Sequence, residues 1–341
     1  MTRSTIVLFV LTVVFSLVSL GTGAADVGLA DLLTGDTEAF ETLLISRLPR
    51  LLAILCTGVG MSIAGLIMQQ LCANKFVSPT TGATISSAQF GILLALLFWP
   101  DSTLWGRALF AFLAAVAGTW LFVAFILRMP QKDVVLVPLV GIMFGNVIGG
   151  VTNFLAYRFD MTQALSTWMV GHFSLVLRGR YELVYLVVPL VILAFLYAKH
   201  FNIVGMGRDF SKNLGVPYTA VLFFGLSLSA MITASVVTVV GSISYIGLIV
   251  PNVVAIFKGD DLRATLPDTA LFVLVCDLIG RTIIAPYELP IELIVGSLGS
   301  LLFIGLIFYR LRFGRKSLDR SRLLAAFGLN RSVQPTCGDV R

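Results

Sequence analysis

Asp277 and Arg281 stand four residues apart in "CDLIGRT", inside an otherwise apolar run. At that spacing two helical side chains share a face and can pair. An acid at membrane depth is also the group a proton relay needs, so the segment admits two readings, an internal ion pair or a proton carrier. Little else in the chain could do bond chemistry. His172 and His200 lie far apart, each near the boundary of an apolar run, with no carboxylate or cysteine at metal spacing. Cys56, Cys72, Cys276 and Cys337 also lack ligand spacing, so neither zinc nor structural disulfides are expected. No G-x-x-x-x-G-K-S/T loop occurs to cradle nucleotide phosphates. The pattern calls for no enzyme chemistry, cofactor or metal of the chain's own.

The elements that must position these groups are membrane spans. Of 341 residues, 57% are hydrophobic and 12% charged, with a mean hydropathy of +0.96. A soluble chain of this length could not hide so much apolar surface. The expected class is therefore an all-α polytopic membrane protein forming a single transmembrane domain over residues 1–341. A crossing helix needs about 20 residues, and windows of that size fall near 4–24, 48–71, 82–99, 106–127, 134–156, 182–199, 218–240, 243–257, 268–285 and 292–311. The count is about ten, with nine as the competitor because 218–257 can be cut differently. "MTRSTIVLFVLTVVFSLVSLGTGA" could be a cleaved signal peptide; its apolar stretch is long for one, and a retained first helix is preferred.

Loop charge sets orientation. With both termini in the cytoplasm, seven of the 24 basic residues stay outside: Arg47, Arg50, Arg107, Arg158, Arg178, Arg180 and Arg281. The rest, including eight beyond Ile307, seven of them in a basic tail covering 312–341, lie inside. Arg47 and Arg50, bracketing Pro49 at the mouth of an apolar run, are thus outward-facing exceptions.

Three polar breaks interrupt the oily chain. "ANKFVSPTTGATISSAQFG" (73–91) reads as a capped re-entrant turn or as a lining of a translocation path, since irregular backbone at membrane depth must be buried or line a cavity. "GMGRDFSKNLGVPY" (205–218) reads as one or two short cytoplasmic helices with a glycine corner, serving as a partner surface or an ordinary loop. "VGSISYIGLIVPNVVAIFKGDDLRATLP" (240–267) carries Pro251 inside a helix, where it removes a hydrogen bond and kinks the run.

In this order the blocks resemble the permease subunits of iron-chelate and cobalamin ATP-binding-cassette importers of type II. "SRLPRLLA" resembles the start of the family's second helix, and "NKFVSPTTGATISSA" its N-P-L-x-x-P-x-x-L-G-x-S-x-G-A block. "LSTWMVGHFS" resembles W-x-x-G-S, "GRDFSKNLGVP" the G-x-x-x-A-x-x-L-G coupling segment, "YIGLIVPN" the F-x-G-L-x-x-P-H block, and "CDLIGRTIIAPYELP" the A-D-x-x-A-R…E-L-P block. The likeness runs from about residue 45 to 310.

The resemblance implies two permeases side by side in the inner membrane, preferably a heterodimer, with cytoplasmic ATP-binding subunits and a periplasmic or lipid-anchored siderophore-binding protein. Nucleic acid is not an implied partner. By position, Arg47, Arg50 and Arg281 match arginines that grip acidic residues of the binding protein. Gly207, Arg208, Asp209, Lys212 and Gly215 match the segment seated on the ATPase. Ser78, Pro79, Thr80 and Thr81 match the translocation path, and Gln131, Lys132, Asp133, Val134 and Val135 its cytoplasmic gate. Ser211 replaces an alanine of the pattern, Asn252 a histidine, and His172 a serine. The form of the 74–81 block resembles the ferric-siderophore subgroup, often catecholate, with cobalamin or heme as alternatives. An ion-coupled secondary transporter is the rival of another class.

Overall fold

The structure, a computed structural model, describes residues 3–22, 37–75, 77–81, 83–128, 136–174, 176–177, 179, 182–243, 245–258, 262–284, 287–305 and 308. Two units divide the chain, Met1–Gly299 and Ser300–Arg341. Of the second, the described residues are a helix end and Phe308, with Leu301, Leu302, Ile304 and Phe308 exposed.

Each window expected from the sequence overlaps a helix among the described residues. These are α1 (Arg3–Gly21), α2 (Thr37–Leu71), α3 (Thr84–Phe98), α4 (Leu104–Arg128) and α5 (Leu136–Arg158). After a short α6 (Thr162–Met169) come α7 (Val187–Gly205), a short α8 (Arg208–Asn213), α9 (Tyr218–Val240), α10 (Ile246–Lys258), α11 (Leu262–Thr282) and α12 (Ile291–Gly305). Among the described residues five helices, α2, α4, α5, α9 and a run of Glu182–Gly205 that contains α7, are long and apolar enough to cross a membrane, and four others are shorter apolar helices. Among the described residues the lone β feature is a parallel bridge between Val170 and Ser242.

Helix α2 is the hub of the first unit. It packs against α7, α9, α10 and α11, while α1 lies on α11 and α3 lies against α4 and α5. Glycine and alanine permit this crowding: a Cβ on Gly65 would stand 1.9 Å from the Gly247 carbonyl oxygen of α10. Small residues let backbones approach where lipid offers no hydrophobic drive between helices.

Two departures from the sequence expectation have local causes. Helix α2 begins at Thr37, well before residue 48, and its turn Leu43–Arg47 is a π-helix in which the Leu48 amide donates to Leu43 O. Pro49 has no amide to offer the carbonyl four residues back, and the wider turn accommodates that gap. The 218–257 ambiguity resolves at Gly241, whose φ of +92° ends α9. There a Cβ would lie 2.6 Å from Val170 O, so the left-handed turn and the close approach both require glycine.

Candidate functional site

Two groups of sequence-derived candidates lie at the two ends of the Leu48–Leu71 stretch of α2. At its first end, where the π turn ends, stand Arg47 and Arg50; at its other end Gly205 approaches the Gln70 carbonyl, and α8 follows directly. Twenty-four helical residues from Leu48 to Leu71 separate the two by about 36 Å at 1.5 Å per residue.

At the first end the structure brings Arg47, Arg50 and Arg281 together and turns them inward. Arg50 donates from Nη2 to Asp277 Oδ1 at 2.8 Å, and from Nη1 to both Glu288 oxygens at 2.9 and 2.8 Å. Arg281 donates to Asp277 Oδ2 through Nε at 2.8 Å and again through Nη2. Its remaining donors reach Ser19 Oγ at 2.6 Å, Thr22 O at 2.8 Å and Ser19 O at 3.2 Å. Arg47 donates from Nη1 to Leu20 O at 2.8 Å. Arg47 and Arg281 are each 7% exposed. Within the chain the three arginines thus belong to a network of hydrogen bonds and ion pairs. The i, i+4 pairing of Asp277 with Arg281 is as the spacing implied, and the partners from α1 and the 287–290 segment are additions. Beside it opens a cavity of about 140 Å³ lined by Arg50, His172, Ser174, Asp277, Glu288 and Pro290.

At the other end α8 is held by a glycine-terminated turn. Gly215 has φ +73°, its amide donates to Lys212 O, and the Val216 amide donates to Ser211 O. This pair of bonds is the Schellman arrangement, which satisfies the helix's last carbonyls. Ser211 is fully buried and its hydroxyl bonds Gly207 O at 2.8 Å and Ile203 O at 3.2 Å, tying α8 to the end of α7. Arg208, Asp209 and Lys212 are exposed. So are Met206, Phe210 and Leu214, at 68%, 45% and 56%. Phe210 lies within α8, and Met206 and Leu214 flank it on either side, so an apolar ridge runs along the segment among the charges. Sequence reasoning passed over it, although three large apolar residues in a polar segment were the available signal.

The 78–81 block holds a 3₁₀ turn, Pro79–Thr81, with Ser78 and Pro79 buried and Thr80 half-buried. Ser78 Oγ and Thr80 Oγ1 lie 2.9 Å apart, and Pro79 packs where a Cβ on Gly247 would sit, 2.6 Å from its Cδ. Asn252 anchors the neighbouring chain, donating to Lys75 O and Leu248 O at 2.7 Å each. The expected gate, Gln131, Lys132, Asp133, Val134 and Val135, lies outside the described residues.

A further candidate surface emerges on α5. Asn146, Gly150, Asn153 and Tyr157 are exposed at spacings of four, three and four, on a helix long and apolar enough to cross a membrane. Asparagines 146 and 153 sit two turns apart on one face. The signal was legible as two carboxamides seven residues apart in an apolar run.

The model of the FecCD transport family matches residues 10–309. The chain is 45% identical to the petrobactin import system permease protein YclN of Bacillus subtilis (strain 168), across 89% of this chain and 97% of that one. It is 36% identical to the ferric-anguibactin transport system permease protein FatD of Vibrio anguillarum (strain ATCC 68554 / 775), across 85% and 93%. Its fold is similar to that of a metal-chelate type ABC transporter solved in an inward-facing conformation, with a TM-score of 0.79 and 23% identity over 90% of this chain and 99% of that one. The chain belongs to the FecCD transport family.

Proposed function

We propose that this member of the FecCD transport family is the membrane-spanning permease of an ATP-binding-cassette importer for a ferric siderophore, located in the cytoplasmic membrane with both termini inside. The relatives named for petrobactin and ferric-anguibactin import support the siderophore class; the catecholate type rests on the form of the 74–81 block. Cobalamin and heme are the alternatives within the same family.

The observation that carries a transport role for this geometry is the exposed α5 face. A carboxamide bare to hydrocarbon costs several kcal/mol, on the order of 2–7, so Asn146 and Asn153 belong against water, cargo or a second permease. We assign this face to the translocation path, with Ser78, Pro79, Thr80 and Thr81 as the turn that braces it and 131–135 as its cytoplasmic gate. The α8 ridge, flanked by Arg208, Asp209 and Lys212 and hinged at Gly207 and Gly215, is assigned to the ATPase subunit. The opposite end, with Arg47, Arg50 and Arg281, is assigned to an external siderophore-binding protein. A sister permease, preferably a different chain, completes the assembly.

Co-purification tests this reading. An ATPase and a second permease should remain with the tagged chain in mild detergent, and the assembly should transport only with ATP. Uptake by the chain alone in vesicles, abolished by an ionophore, would establish an ion-coupled transporter instead.

A further inference from the structure

We infer that the charged cluster around Arg47 and Arg50 of α2 is a clamp on the end of α1, with Asp277 as the positioning residue at its hub. Three carbonyls at and just past the C-terminal end of α1 accept from two arginines of other helices, Leu20 O from Arg47 and both Ser19 O and Thr22 O from Arg281. A helix leaves its last four carbonyls without intrahelical donors, and cations at that end also meet the negative pole of its dipole. Arg47 from α2 and Arg281 from α11 meet both demands, and Ser19 adds its hydroxyl to Arg281.

Asp277 fixes the geometry. One of its oxygens receives Arg281 and the other receives Arg50, so the two guanidinium groups share a single buried carboxylate. Its side chain is 2% exposed, against 25% for Glu288, which touches Arg50 and none of the α1 groups named here. The cluster therefore has an inner half that holds α1 and an outer half, Arg50–Glu288, that faces the cavity. Of the three arginines assigned to the binding-protein end, Arg47 and Arg281 also hold α1, and Arg50 is the one whose counter-ion Glu288 is accessible. This last point rests on the docking reading; the clamp does not, and either can fail without the other.

Hydrogen exchange of the amides in residues 17–22 tests the clamp in the full-length, membrane-reconstituted protein. Arg281→Gln and Asp277→Asn should each speed exchange there by roughly tenfold or more, as losing a hydrogen bond to a charged group implies. Glu288→Gln should leave the rate within about twofold, because it strips only the outer half. Unchanged exchange in both inner variants overturns the clamp, as does equal acceleration by Glu288→Gln. Ser19→Ala strands no charge and covers the case in which the charged variants fail to reach the membrane. Acceleration of about threefold or more by Ser19→Ala supports the clamp, and an unchanged rate overturns it.

Discussion

Gly65 of α2 and Gly247 of α10 meet backbone to backbone: a Cβ on Gly65 would fall 1.9 Å from Gly247 O and 2.6 Å from its carbonyl carbon. Neither atom belongs to a side chain that can swing away, so any larger residue must push the helices apart. Gly65→Ala is expected to destabilise the permease by about 1–3 kcal/mol, seen as a lower thermal midpoint and a reduced monodisperse yield. Gly150→Ala, where a Cβ would meet nothing within 4 Å, should leave both unchanged. Equal behaviour of the two variants would contradict the close approach.

The φ of +73° at Gly215 is out of reach for proline, whose ring fixes φ near −65°. Gly215→Pro should break the turn that ends α8 and cost about 1–3 kcal/mol locally. If α8 seats the ATPase, hydrolysis should continue while transport per ATP collapses. Normal coupling in this variant would move the seat elsewhere.

The Met206–Phe210–Leu214 ridge makes a sharper claim on the same surface. Truncating a buried aromatic anchor commonly costs more than about 1 kcal/mol of binding. Phe210→Ala should therefore weaken ATPase association roughly five- to tenfold while leaving the isolated chain's melting unchanged. The charged neighbours Arg208, Asp209 and Lys212 should matter less for affinity than for on-rate and its salt dependence.

On α5, Asn146→Leu and Asn153→Leu separate a water-facing or cargo-facing surface from a lipid-facing one. Facing the path, the double variant should lower uptake by roughly tenfold, equivalent to about 1.4 kcal/mol, with normal accumulation in the membrane. Facing lipid, it should raise the thermal midpoint and leave uptake intact, because leucine is the cheaper side chain in hydrocarbon.

Composition and spacing determined the helical class, the position of every expected helix, the i, i+4 pairing of Asp277 with Arg281, and the six ordered blocks that resemble the family. Those features are local: a twenty-residue apolar window, a four-residue turn and a glycine corner are complete within a few turns of chain. Tertiary structure alone decided where the arginines point. Arg47 meets Leu20 across 27 residues, Arg50 meets Asp277 across 227 and Arg281 meets Ser19 across 262. Helical periodicity says which residues share a face, and loop charge says which end they occupy. Neither says which neighbouring helix that face will meet. That depends on how closely small residues such as Gly65 and Gly247 let α2 pack among its neighbours, and it fastened Arg47, Arg50 and Arg281 to groups far off in the sequence.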